Sequence, residues 1–106
     1  MKYYIVKTHM IATPENESFA GQEETTYYGT KEYVLARYGS HPEAVHSYKP
    51  LYPYWVKEYG YKTLAVAKRN LFYRSPVNSK NWITTSADII CIDLPKGCDN
   101  GEIKFS

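Results

Sequence analysis

The sequence predicts a single α+β domain with a small antiparallel or mixed sheet of three to four strands, a basic helix packed on one face and one or two short additional helices. Two stretches rich in β-branched and aromatic residues, 2–12 and 82–94, predict strands near the two ends of the chain. Between them, residues 63–74 repeat apolar side chains at the spacing of a helix. The length of 106 residues and the composition, 43% hydrophobic and 23% charged, are typical of one globular domain over residues 1–106.

The first strand, KYYIVKTHMIA over residues 2–12, is partly apolar on both alternating faces, which predicts a central position in the sheet. Thr13-Pro14 ends it, because proline cannot donate a hydrogen bond to a neighbouring strand. The polar residues 13–24 then predict a loop. TTYY at residues 25–28 is expected to return as a short second strand.

Two short helices are expected next. Thr30 fits the N-cap of a helix over residues 31–38 that ends at Gly39. A capping box that begins at Ser40 predicts a second helix to about Tyr48. One broken helix fits the same residues, and the pattern does not decide between the two.

The middle of the chain combines a strand-like stretch with the basic helix. YWVKEY at residues 54–59 predicts a strand, with the preceding Pro53 at its first position or edge. Gly60 is expected to turn the chain, and Thr63 to cap the helix LAVAKRNLFYR. The expected buried stripe of this helix is Leu64, Ala67, Leu71 and Phe72.

The last strong signal is WITTSADIICIDL, residues 82–94, which follows a polar loop at 77–81. Its second half is apolar on both alternating faces and therefore predicts the middle of the sheet. Residues 96–106 are expected to form a tail or a short terminal hairpin arm.

No motif for metal binding, cofactor binding or catalysis is apparent. The spacings of His41 with His46 and of Cys91 with Cys98 do not match those of zinc ligands. Cys91 lies within an apolar strand pattern and is expected to behave as a small hydrophobic residue, so Cys98 is the cysteine expected at the surface. A small enzyme that uses Cys98 or a histidine is the least favoured interpretation, because no local motif supports it.

The charge of the chain and its expected cellular compartment restrict the candidate functions further. The net charge of +2 is too small to indicate nucleic-acid binding by itself. Residues 15–24 carry four glutamates and no base, whereas residues 62–80 carry five basic residues and no acid, which predicts a dipole across the molecule. No signal peptide or membrane-spanning segment is visible, and the two cysteines form no disulfide framework, so we expect a cytoplasmic protein without a membrane partner.

The stretch from Tyr48 to Ser75 holds the candidate site. The chain has 12 tyrosines, too many to bury with every hydroxyl satisfied, so several are expected at the surface. Rings interleaved with Lys and Arg bind single-stranded nucleic acid and also dominate protein–protein hot spots. We therefore predict a partner-binding patch that consists of Tyr52, Tyr54, Trp55, Lys57, Tyr59, Tyr61, Lys62, Lys68, Arg69, Tyr73 and Arg74. The alternative is that the rings form the core while the basic residues line a solvated helix face, and both interpretations stay open.

The segment GYKTLAVAKRNL, residues 60–71, together with the tryptophan-containing strand from Trp82 to Leu94, resembles a pattern in small orphan proteins of phages and prophages. In these proteins a glycine-aromatic turn leads through a threonine into a basic helix. The resemblance covers about a third of the chain and includes no catalytic residue. Such proteins include inhibitors of host defence systems, for example anti-CRISPR proteins.

These observations lead us to expect a binding protein without enzymatic activity and without a cofactor. The resemblance implies a phage-type inhibitor that sterically occludes a host protein or protein–nucleic-acid complex in the bacterial cytoplasm. The alternative function is a small nucleic-acid-binding accessory or regulatory protein that uses the same patch. Self-association as a homodimer through exposed strand edges is a further expectation.

Overall fold

The fold is known from a computed structural model, which describes residues 1–30, 34–39, 52–74 and 79–94. Within these residues it confirms the α+β class, with four strands in one antiparallel sheet and two helices. The elements in chain order are β1 (Lys2–Ala12), β2 (Glu23–Tyr28), β3 (Val34–Gly39), α1 (Pro53–Tyr59), α2 (Leu64–Arg74) and β4 (Trp82–Asp93).

The strands lie in the order β3-β2-β1-β4, so β1 is central, as its two partly apolar faces predict. Ile5 of β1 pairs with Ile90 of β4, and Lys7 pairs with Tyr27 of β2. The β1–β4 register shifts by one residue between His9 and Met10. The other predicted strands at 25–28 and 82–94, and the helix at 63–74, are confirmed with small changes of boundary.

The two helices pack on opposite faces of the sheet. Alternate β1 side chains point to opposite faces, and Tyr3 and Ile5 pack in one cluster with Val56 of α1. Val6, which lies on the other face, packs in a second cluster with Ala67 of α2. We call these two sides of the sheet the α1 face and the α2 face.

The chain crosses from the α1 face to the α2 face at Gly60 and Tyr61. Tyr59 packs against the first cluster and Tyr61 belongs to the second, two residues later. A Cβ atom at Gly60 would collide with the carbonyl oxygen of Val56, and one at Gly29 would collide with the carbonyl oxygen of Tyr59. The crossing therefore needs glycine at both positions, because backbone segments approach closely there.

The predicted helix over residues 31–38 is wrong within the described residues, because Val34–Gly39 forms strand β3. Ala36 pairs with Tyr27 of β2, and both Leu35 and Ala36 are buried in the α1-side cluster. The apolar spacing of residues 34–39 fits both a helix and a strand. Pairing with β2 at the edge of the sheet stabilises the strand.

The predicted strand over residues 54–59 is also wrong, since Pro53–Tyr59 forms helix α1. Proline occupies the first turn, where its missing N–H leaves no intrahelical hydrogen bond unmade. Trp55, Val56 and Tyr59 pack on the first cluster with the three- and four-residue spacing of a helix. That spacing, which begins at Tyr52, is the signal that the strand interpretation overlooked.

Strand β4 lies at an edge of the described sheet and not in its middle, in contrast to the prediction. Among the described strands, β1 is its single neighbour, and its burial alternates along most of its length. Cys91, predicted to behave as a buried hydrophobic residue, is an exposed free thiol. The apolar side chains of β4 belong to two clusters: Ile90 and Ile92 to the α1-side cluster, and Ile89 to the α2-side cluster.

Two predicted elements fall outside the described residues: the second helix from Ser40 to about Tyr48 and the tail or hairpin arm over 96–106. The N-cap prediction for α2 is confirmed, because the Thr63 hydroxyl accepts a hydrogen bond from the Val66 N–H at 3.3 Å.

Candidate partner-binding site

The eleven residues of the predicted patch lie on both sides of the sheet, so they do not form one continuous surface. Tyr52, Tyr54 and Trp55 lie at the start of α1, on the α1 face. Lys68 and Arg69 are exposed on α2, which packs against the opposite face. The rings and the strongest basic charge are thus separated by the sheet itself.

Tyr52, Tyr54 and Trp55 form a group that we call the aromatic cluster. The two tyrosine rings are stacked, with centroids 5.5 Å apart and an interplanar angle of 11°. The Trp55 ring is nearly perpendicular to both, with its centroid 5.4 Å from that of Tyr52 and 5.7 Å from that of Tyr54. Stacked and edge-to-face pairs at these distances are the favourable arrangements of aromatic rings.

The aromatic cluster is both anchored and accessible. Trp55 is half-buried and packs against the α1-side core, whereas Tyr54 remains 47% exposed. Among the described residues, the hydroxyl groups of Tyr52 and Tyr54 have no hydrogen-bond partner. A partner would therefore meet rings that already pack on one another, with two hydroxyl groups that no described residue engages.

Other aromatic members of the predicted patch belong to the interior. Tyr61 is 1% exposed, and its hydroxyl donates a hydrogen bond of 2.7 Å to the carbonyl oxygen of Gly29. Tyr59 is half-buried against the α1-side core. Lys57, on the same helix, is half-buried as well. Of the tyrosines whose side chains are described, Tyr54 alone is exposed, fewer than the composition led us to expect.

The basic members of the patch lie mainly around α2. Lys62, Lys68 and Arg69 are exposed, and no carboxylate of a described residue lies within ion-pairing distance of them. Tyr73 and Arg74 end the helix, and the placement of their side chains lies outside the described part of the structure.

The sequence pattern missed an apolar feature of the same helix. Leu64, expected in the buried stripe, is 41% exposed, and Val66 is 39% exposed. Ala67 is buried and Leu71 half-buried, as expected. On a helix that buries Ala67, Val66 points about 100° away, so its exposure follows from the helical period. Leu64 and Val66 thus lie on nearly opposite sides of the helix, and the exposed Lys68 and Arg69 lie on the solvent-facing arc between them.

His9 is the histidine within the described residues, and it lies on the α1 face beside two polar side chains. His9 Nδ1 lies 2.9 Å from the Thr25 hydroxyl, and its Nε2 lies 3.6 Å from Glu23 Oε1. Thr25 is the β2 residue paired with His9, and Glu23 lies two residues before it on the same strand. In the described ranges, no group of three or more His, Cys, Asp and Glu side chains is arranged to hold a metal ion.

One tyrosine on the α1 face has a perturbed pKa. Burial of Tyr27, with a smaller contribution from the neighbouring Tyr38, raises the pKa of its phenol above the ordinary value of 10.0. The two rings contact each other edge to face, with centroids 5.6 Å apart. Tyr27 thus stays neutral and serves the core.

No described helix is long and apolar enough to cross a membrane. No protein-family model, no curated protein and no solved structure matches this chain significantly.

Proposed function

We propose that this chain is a binding protein without enzymatic activity, which engages a partner protein through the aromatic cluster and acts by steric occlusion. The observation that carries the proposal is the cluster itself: three rings packed on one another, anchored by Trp55 in the core and exposed at Tyr54. Tyrosine and tryptophan dominate interface hot spots because a large rigid ring buries much area while losing few rotamers.

The packing within the cluster favours tight binding. Because Trp55 contacts both the core and the two tyrosine rings, little further ordering is needed when a partner covers them. In the setting that the resemblance at residues 60–71 implies, the partner is a host defence protein in the bacterial cytoplasm, and binding blocks access to its substrate or to another subunit.

Affinity capture from a bacterial lysate, with and without nuclease, tests this proposal. We expect one protein or nucleoprotein complex to be recovered and to remain bound after nuclease treatment. Loss of every partner after nuclease, or recovery of nucleic acid alone, would contradict the proposal and favour the second candidate.

The second candidate is a nucleic-acid-binding accessory protein. Lys62, Lys68 and Arg69 favour it, because no carboxylate of a described residue pairs with these cations. Single-stranded nucleic acid is bound most effectively where rings and cations line the same groove. Here the aromatic cluster and α2 lie on opposite faces, which is why we prefer the protein partner. The discriminating measurement is salt dependence: phosphate binding weakens steeply as salt rises, whereas an aromatic interface responds far less.

A further inference from the structure

The surface of α2 combines two features that a solvated helix face does not need together. Lys62, Lys68 and Arg69 have no ion-pair partner among the described residues. Leu64 and Val66, on either side of Lys68 and Arg69 around the helix, expose 41% and 39% of their surface. Cations flanked by exposed apolar side chains fit a partner that offers the opposite charge and apolar contact.

The loop between β1 and β2 presents the complementary chemistry. Glu15, Glu17 and Phe19 are all exposed, whereas Asn16 between them is buried. No ion pair of Glu15 or Glu17 is formed within the described ranges. The loop therefore offers two free carboxylates and one exposed ring on a short segment.

Asn16 holds this loop in its shape. Its Oδ1 accepts hydrogen bonds from the N–H groups of Ser18 at 3.3 Å and Phe19 at 3.0 Å, and its Nδ2 donates to the carbonyl oxygen of Asn81 at 3.3 Å. The turn is thus ordered before any partner arrives, and the side chains of Glu15 and Glu17 are exposed. Preordering lowers the entropy lost when the loop is bound.

We propose that the α2 surface binds the 14–20 loop of a second copy of this chain. The match is one of charge and of apolar contact: Glu15 and Glu17 would face Lys68 and Arg69, and Phe19 would cover Leu64, which lies on the same side of the helix as Lys68. Within one chain, α2 packs around Val6 while the loop follows Ala12 at the far end of β1, so the contact forms between molecules.

A two-fold axis lets each loop reach the other molecule's α2 at the same time, so a dimer is the expected product. The dimer would leave the aromatic cluster free, because that cluster lies on the α1 face. This inference does not depend on the proposed function. If both hold, the dimer presents two aromatic clusters and binds a multivalent partner with increased avidity.

Two alternatives compete with this proposal: nucleic acid that binds α2, and a dimer that forms through a strand edge. Phosphates would gain nothing from Leu64 and Val66, which disfavours nucleic acid. Pairing through the outer edge of β4 relies on backbone hydrogen bonds and would be insensitive to the charges on α2 and the loop.

The test is sedimentation velocity over a wide concentration range at low salt with two charge-reversed variants, Lys68→Glu/Arg69→Glu and Glu15→Lys/Glu17→Lys. Wild type should associate, and each variant alone should associate at least about tenfold more weakly, because like charges then oppose each other. An equimolar mixture of the two variants should associate again, since each acidic α2 then meets a basic loop and each basic α2 meets an acidic loop.

The two variants carry opposite net charge and attract each other in any orientation, so association of the mixture supports the proposal only where amide resonances of residues 14–20 and 62–69 shift. A wild-type chain that stays monomeric, association that survives either substitution, or a mixture that fails to associate would each overturn the proposal. If circular dichroism shows that a variant does not fold, the amide resonances of wild type are instead measured by NMR over a dilution series. Dilution should then shift resonances in residues 14–20 and 62–69, and shifts confined to other residues would overturn the proposal.

Discussion

Tyr4 and Tyr61 exchange two backbone hydrogen bonds, each 2.7 Å long, and so extend the sheet beside β1 at the point where β2 has ended. This bridge fixes the segment that leads from α1 to α2. Because α1 lies before the bridge and α2 after it, the bridge determines that the aromatic cluster and the basic helix lie on opposite faces.

The Tyr61 hydroxyl stabilises this crossing, and its removal should lower stability. Tyr61→Phe loses the buried 2.7 Å hydrogen bond and leaves the Gly29 carbonyl oxygen without this donor. We expect the free energy of unfolding to fall by about 1–2 kcal/mol in urea or thermal denaturation. Tyr52→Phe is the matched control, because the Tyr52 hydroxyl has no partner among the described residues and its loss should change stability by less than about 0.5 kcal/mol. Equal effects of the two variants would contradict this role.

Gly29 should be sensitive to the smallest enlargement. In Gly29→Ala the new Cβ meets the carbonyl oxygen of Tyr59, so α1 must shift, at a cost of about 1–3 kcal/mol. We expect both a lower melting temperature and an altered near-ultraviolet circular dichroism signal from the aromatic cluster. Gly21→Ala, at a position with φ of 82° and open space, should lower stability by about 1 kcal/mol without changing that signal.

Stability should decrease in alkaline solution because of Tyr27. Its raised pKa means that, above about pH 10, tyrosine in the unfolded chain releases its proton while folded Tyr27 keeps its own. The unfolded state then binds fewer protons than the folded state, so the free energy of unfolding falls as pH rises towards the folded pKa. Denaturation between pH 8 and about 11.5 measures this slope, and Tyr27→Phe should reduce it. A slope unchanged by the substitution would assign the loss of stability to other groups.

The sequence predicted the elements whose signal is local and strong. KYYIVKTHMIA and WITTSADIICIDL are long and rich in β-branched residues, and α2 has both a threonine cap and a helical apolar repeat. Each of these patterns fits one structure better than its alternative, so these predictions were confirmed.

The two short elements were wrong because their patterns fit both structures. Residues 34–39 and 53–59 are each too short for the apolar period to distinguish a strand from a helix. Pairing of Ala36 with Tyr27 decided the first, and packing of Val56 on the α1-side core decided the second. Such tertiary contacts join residues far apart in the sequence and cannot be read from local spacing.

Prediction of the candidate site from the sequence was limited for the same reason. Residue types alone grouped the rings of α1 with the cations of α2, because the two helices are consecutive in the chain. The crossing at Gly60 places them on opposite faces. The sequence could indicate which residue types bind a partner, but not that the sheet lies between them.

Binding through the aromatic cluster is tested most directly by the affinity of the captured partner for wild type, Tyr54→Ala and Ile83→Ala. Tyr54 and Ile83 are similarly exposed, at 47% and 44%, but Ile83 lies in β4 outside the aromatic cluster. We expect Tyr54→Ala to weaken binding about 10- to 30-fold, as for an interface hot spot, and Ile83→Ala to change it less than about threefold. Equal affinity of wild type and Tyr54→Ala would contradict the claim that the aromatic cluster binds the partner.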